Sequence, residues 1–143
     1  DYLEREAFPL VPGAGQLIAD FHLRGIRQGV VTGAGPDAIR ATIRAYGLAP
    51  LFAVVVTAAD VQRSKPAPDG YRLALERLGV GAAECIAFED SANGVAAAVA
   101  AGIACCAIRT RFTEDHDFSG AVATFDSLAD AAAWVMARHV GGD

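Results

Sequence analysis

Apolar and polar positions follow one another along this chain in two rhythms. Leu17, Ile18 and Phe21 recur at helical spacing after a Pro12–Gly13 turn, and Gly25 closes that segment. The run Gly29, Val30, Val31, Thr32 is short, apolar and bounded by glycine, which predicts a strand. Ile39, Ile43 and Tyr46 form one stripe of a helix predicted over 36–46, with Gly47 as its stop. Residues 54–57 predict a second strand. Residues 69–78 predict a helix with Leu73, Leu75 and Leu78 inward and Gly79 at its end. Residues 85–88 predict a third strand, and 92–101 an alanine-rich helix stopped by Gly102. A fourth strand follows over 103–108, then a charged loop over 109–120 and a short fifth strand over 122–125. Ser127 caps a last helix that runs to about His139.

Strands that alternate with helices of this length imply an α/β fold, a Rossmann-like three-layer α/β/α arrangement around a parallel sheet. Right-handed crossovers put the loops after the strands on one edge, and ligands of such sheets bind there. That rule directs attention to Thr32, to the loop after Val56 and to the residues after Phe88.

The composition narrows the choice further. With 143 residues, 53% apolar and 20% charged, the chain suits one domain with a substantial core. Twelve basic against 17 acidic residues give a net charge of −5 without a basic run, which argues against nucleic acid as a partner. A small anion is still compatible, because a local site can be positive on an acidic protein. No apolar run reaches membrane-spanning length. Cys105 and Cys106 are adjacent in a strand and face opposite sides, and Cys85 sits in another apolar run. They are expected to be buried thiols in a soluble protein of a reducing, cytoplasmic compartment.

Three stretches carry candidate chemistry. In Val31, Thr32, Gly33, Ala34, Gly35, Pro36 a hydroxyl ends a buried strand just before a helix, where free N–H groups attract phosphate. It is not a P-loop, since no Gly-Lys-Ser/Thr follows. In Ser64, Lys65, Pro66, Ala67, Pro68, Asp69, Gly70, Tyr71 two prolines stiffen the backbone beside a lysine that can neutralise phosphoryl oxygens. In Phe88, Glu89, Asp90, Ser91, Ala92, Asn93, Gly94 two adjacent carboxylates follow an apolar strand. Hard divalent cations are commonly held by one or two such carboxylates. Each stretch alone is equally well read as an ordinary turn.

Together, a hydroxyl, a lysine and an acidic pair, each behind a successive strand, resemble the later three signature motifs of the haloacid dehalogenase (HAD) superfamily. The Lys-Pro-x-Pro-x-x-Tyr and Glu-Asp-Ser-x-x-Gly stretches are most similar to the branch of β-phosphoglucomutase and phosphoglycolate phosphatase. The resemblance implies that Thr32 and Lys65 are catalytic, that Thr32, Gly33 and Lys65 bind substrate, and that Asp90 and Glu89 serve the metal, Mg2+. Glu89 is either a ligand or a partner of one. Gly33 and Ala34 stand where relatives often carry polar residues. The implied activity of the intact protein is phosphatase-type hydrolysis of a small phosphorylated metabolite, such as a sugar phosphate, through an aspartyl phosphate. Rival readings are a sugar phosphomutase, a metal-independent dehalogenase and a non-catalytic binding module.

The family's nucleophile lies in an Asp-x-Asp motif after the first strand, and no such motif follows an apolar strand here. Asp115, His116, Asp117 has the letters but falls in the charged loop, read as solvated. The resemblance implies that residues 1–11 are the tail of a cap domain and its linker, that 12–140 form the core and that 141–143 are a tail. It also implies that the first strand of the sheet is missing from this chain, leaving either a gap or a contracted sheet between the strands ending at Thr32 and Phe88. The 143 residues alone are then expected to be inactive. The three histidines show no ligand spacing and are assigned to surface or packing. Trp134 is assigned to the core, and Arg109 and Arg111 are weaker candidates for binding a substrate anion.

Overall fold

The computed structural model describes residues 13–140. The expected cap tail and linker over 1–11 and the tail over 141–143 lie outside the described residues. Among the described residues the order is α1 (Ala14–Leu23), β1 (Gly29–Val31), α2 (Pro36–Ala45), β2 (Val54–Val56), α3 (Asp69–Leu78), β3 (Ile86–Glu89), α4 (Ala92–Ala100), β4 (Ala104–Ile108), β5 (Ala123–Phe125) and α5 (Leu128–Val135). α5 runs on into a π-helical turn over Met136–Val140. Among the described residues no helix is long and apolar enough to cross a membrane.

Local chemistry sets the ends of these helices. Pro36 occupies the first turn of α2, where its missing N–H costs nothing, with Asp37 beside it and Arg44 in the last turn. Ser91 and Ser127 cap α4 and α5, each accepting an amide proton from three residues on, Gly94 and Asp130, at 3.1 Å.

Among the described residues every strand pair is parallel. β1 pairs with β2, placing Val31 opposite Val56, and β3, β4 and β5 pair in that order, placing Phe88 opposite Cys106. No ladder joins β1 to β3 among the described residues, so the structure has two sheets separated by a seam. Of the two expectations, a gap or a contraction, the gap is what forms.

Helices cover both faces, in three layers. Ala87, Cys105 and Ala107 point toward α3 and α4 and pack with Tyr71, Val95, Ala97 and Ala98. Ile86, Phe88, Cys106 and Ile108 point the other way, toward Phe21 of α1 and Leu128, Ala131 and Val135 of α5. Trp134 joins that second layer, its ring edge-on to Phe125 at 5.8 Å. Cys105 and Cys106 thus face opposite layers as expected, whereas Cys85 lies just before β3 and is half-buried.

Several expectations need correction. Tyr46 is 49% exposed, because it caps α2 rather than continuing its buried stripe. In α3 the buried residues are Gly70, Tyr71 and Ala74, while Leu73, Leu75 and Leu78 are only half-buried. Close approach explains this: a Cβ on Gly70 would stand 2.7 Å from Val31 Cγ1, so small residues take the interface. β3 ends one residue later than its apolar run, which makes Glu89 part of the strand. The loop over 109–120 is more than a hydrated excursion, since Thr113 and Phe118 within it are buried.

Candidate active site at the strand tips

The loop between β2 and α3 carries Lys65 and is pinned at both ends. Thr57 caps the turn Ala58–Asp60, with its N–H donating to Asp60 Oδ2 at 2.8 Å. That bond holds the Asp60 carboxyl below its ordinary value. At the other end Arg63 grips Asp69 with two donors, at 2.8 and 3.2 Å. The Lys65–Pro66 peptide between them is cis.

Lys65 reaches from this loop into the seam. Its Nζ donates to the carbonyl of Val31 at 2.8 Å and to Glu89 Oε2 at 2.6 Å. One end of that bridge is the last residue of β1, and the other the last residue of β3. Strand alternation explains the direction of Glu89. It shares a face with Ala87, so its carboxylate turns into the layer of α3 and α4. There Tyr71 donates its hydroxyl proton to the same Oε2. Gly94 makes the space, because a Cβ at that position would overlap the Glu89 carboxylate. Lys65 keeps 21% side-chain exposure and Glu89 8%, so this pair is shielded from water. Burial first, and the Glu89 charge second, hold the Tyr71 hydroxyl well above its usual ionisation range. Burial likewise pushes the Cys105 thiol behind Glu89 up to about 12.

Thr32 follows Val31 directly. Its N–H donates to the Val56 carbonyl at 3.0 Å, which extends the β1–β2 ladder by one bond. Its Oγ1 accepts the Ala34 N–H at 3.0 Å, leaving the hydroxyl proton available to donate. The Ala34 amide is therefore already used, which removes one of the donors expected for a phosphate. Gly33 is exposed, with nothing within 4 Å of where a Cβ would be.

Asp90 follows Glu89 and is half-buried. Among the described residues its carboxylate makes no hydrogen bond or ion pair, whereas Glu89 Oε2 accepts from both Lys65 and Tyr71. No group of three or more His, Cys, Asp or Glu side chains that could hold a metal occurs among the described residues. One free carboxylate at a strand tip still fits Mg2+, which takes few protein ligands and keeps several waters. Asp90 is the residue that would hold it, with Glu89 directed to Lys65. Thr32, Lys65 and Asp90 come to one edge, since Lys65 touches the immediate neighbours of the other two.

Sequence reading missed two participants. Tyr71 was visible as the last letter of the Lys-Pro-x-Pro-x-x-Tyr stretch, but its contact with Glu89 depends on β3 being one residue longer. His116 was assigned to a solvated loop, yet its Nδ1 accepts the Ala92 N–H at 3.1 Å, at the start of α4. Nothing in its sequence surroundings signals that return. Its neighbour Asp117 does face solvent, where the hydroxyl and then the amide of Ser119 lower its carboxyl. Arg109 is committed to the loop itself, donating to the Glu114 carbonyl at 2.8 Å and stacking on Phe118. Arg111 lies over the exposed Phe112.

A family model described as haloacid dehalogenase-like hydrolase matches residues 1–102. The chain belongs to that family. This haloacid dehalogenase-like chain is 39% identical over 137 residues to the plasmid-encoded protein CbbY of Cupriavidus necator, covering 94% of the chain and 54% of that protein. It is 35% identical to validoxylamine A 7'-phosphate phosphatase of Streptomyces hygroscopicus subsp. limoneus, over 92% of the chain and 59% of that enzyme. Among solved structures it superposes on CbbY from Rhodobacter sphaeroides in complex with xylulose-(1,5)bisphosphate. The TM-score is 0.80 at 38% identity, over 85% of the chain and 55% of that protein. The haloacid dehalogenase-like chain thus spans about half the length of the curated relatives it matches.

Proposed function

We propose that this chain supplies the phosphate- and metal-binding edge of a phosphatase acting on a small sugar phosphate. The observation that carries the proposal is the Lys65 bridge between Val31 and Glu89, which sets a hydroxyl and a free carboxylate on either side of one ammonium. A phosphoryl group has negative oxygens for the hydroxyl, for the ammonium and for a cation held by the carboxylate, and its transfer depends mainly on positioning and charge neutralisation. Thr32 orients the group through its hydroxyl proton, Lys65 offsets its charge, and Glu89 and Tyr71 hold Lys65 in place. Asp90 holds Mg2+. When bound, the metal neutralises phosphoryl oxygens as a Lewis acid.

The nucleophile of the complete protein is an aspartate carried on a strand, and the seam between β1 and β3 is the place for that strand. The transfer then splits into formation and hydrolysis of an aspartyl phosphate. The relatives named for a phosphatase and crystallised with a sugar bisphosphate support the substrate class. Three free thiols, two of them buried, fit the reducing cytoplasm.

The test compares this 143-residue chain with a complete protein that contains an upstream Asp-x-Asp strand. The complete protein is expected to release inorganic phosphate from sugar phosphates in a magnesium-dependent way, and the chain alone is expected to show no turnover of p-nitrophenyl phosphate. Magnesium-dependent turnover by the chain alone overturns the assignment of the nucleophile. An isomerised sugar phosphate in place of free phosphate makes the protein a mutase, and metal-independent release of halide from a haloacid makes it a dehalogenase. No activity on any ester leaves a binding module.

A further inference from the structure

We propose that His116 is a positioning residue for Asp90, acting through the first turn of α4. The inference rests on the reading of Asp90 as the metal ligand.

The first N–H groups of a helix have no acceptor within the helix. In α4, Ser91 Oγ takes the Gly94 N–H and His116 Nδ1 takes the Ala92 N–H, each at 3.1 Å. Asp90 and Ser91 are thereby held between the final residue of β3 and two acceptors that fix the opening of the helix. One of these acceptors comes from a residue 24 positions further along the chain.

His116 is itself braced. Its backbone N–H donates to the Thr113 carbonyl at 3.1 Å. Its ring stands edge-on to Phe118 at 6.3 Å, and Phe118 is only 6% exposed. The Arg109 guanidinium covers Phe118 at 4.7 Å and also reaches the His116 carbonyl at 3.5 Å. Arg109 follows the last residue of β4, so the brace is rooted in the three-stranded sheet. An imidazole that accepts at Nδ1 carries its proton on Nε2 and is neutral, so it fixes the helix start without placing a cation beside the acidic pair.

Carboxylates that bind metals depend on the groups that orient them. Removing such an outer partner typically costs between about tenfold and about a hundredfold in metal affinity. Asparagine at 116 places Oδ1 where the imidazole has Nδ1, whereas glutamine does not, so the two variants separate the hydrogen bond from the bulk of the side chain.

The experiment uses the 15N-labelled 143-residue chain, well below its melting temperature. A through-hydrogen-bond 15N–15N coupling is expected between the Ala92 amide and His116 Nδ1. Its absence overturns the contact. Mg2+ is then titrated against the Asp90 and Ser91 amide shifts in the wild type, His116→Ala, His116→Asn, His116→Gln and Asp90→Asn. The alanine and glutamine variants are expected to bind Mg2+ about tenfold more weakly, and the asparagine variant within about twofold of wild type. Equal affinity in wild type and His116→Ala, or an equal loss in all three His116 variants, overturns the positioning role while leaving Asp90 as ligand. No Mg2+ binding by the wild type, or undiminished binding by Asp90→Asn, removes the Asp90 reading and this role together, even with the 15N–15N coupling present.

Discussion

Lys65 Nζ and Glu89 Oε2 lie 2.6 Å apart at the mouth of the seam, and neither side chain is more than 21% exposed. Removing one partner of such a pair strands the other charge away from water. Lys65→Met is therefore expected to destabilise the chain by about 3 kcal/mol, and adding Glu89→Leu is expected to restore most of that loss. Urea unfolding of the single and double variants decides this. A single-variant loss below about 1 kcal/mol would place the pair with ordinary surface bridges. In the complete protein, Lys65→Ala and Asp90→Ala should each lower turnover by orders of magnitude.

Gly94 is required by the Glu89 carboxylate, which fills the space a side chain would take. Gly94→Ala is expected to cost about 2 kcal/mol, as overpacking does, and to loosen Lys65. Gly33→Ala meets open space and should change stability by less than about 0.5 kcal/mol. Equal denaturation midpoints for the two variants would contradict the packing described around Glu89.

Alkaline pH should destabilise the fold. Folded Tyr71 ionises well above its ordinary 10.0, and the Cys105 and Cys106 thiols rise from 9.0 to about 12 and about 11. The unfolded chain therefore loses these protons first, and the folded state is the more protonated one above pH 9. The stability they contribute is complete below the unfolded values and declines as pH rises from there through the folded values. Urea midpoints are expected to fall steadily between pH 8.5 and 11, on the order of the window these shifts define. Cys106→Ala should make that decline shallower, and a midpoint independent of pH would contradict the burial of these groups.

Thiol counting tests the two-layer packing directly. Cys105 and Cys106 are inaccessible and Cys85 is half-buried just ahead of β3. With an aromatic disulfide reagent at neutral pH, the native chain should react slowly and only at Cys85, whereas guanidinium should expose all three thiols. Prompt native reaction of three thiols would mean that β4 is not sandwiched as described.

The sequence displayed the order of elements because its periodicities are local. Strand runs such as residues 54–56 and stops such as Gly79 announce themselves within a few residues. The strand tips were legible for the same reason, since Thr32 and the acidic pair sit at the ends of their strands and Lys65 in the loop after its own. What stayed hidden depends on distance. The buried face of α3 was misread because Leu73 and Leu78 are more apolar than Gly70, and only contact with Val31 shows why a glycine belongs at the interface. That Glu89 turns toward Lys65 and Tyr71 hinged on β3 running one residue beyond its apolar run, which fixes the face its carboxylate takes. His116 lay beyond reach because its partner is fixed by the path of a whole loop.

An ammonium carries three hydrogens and no more. Two of those on Lys65 are spoken for, by Val31 and Glu89, so one remains for a visitor. An incoming oxyanion can be received as a third neighbour without dislodging either of the first two, and the join between the half-sheets need not open for it.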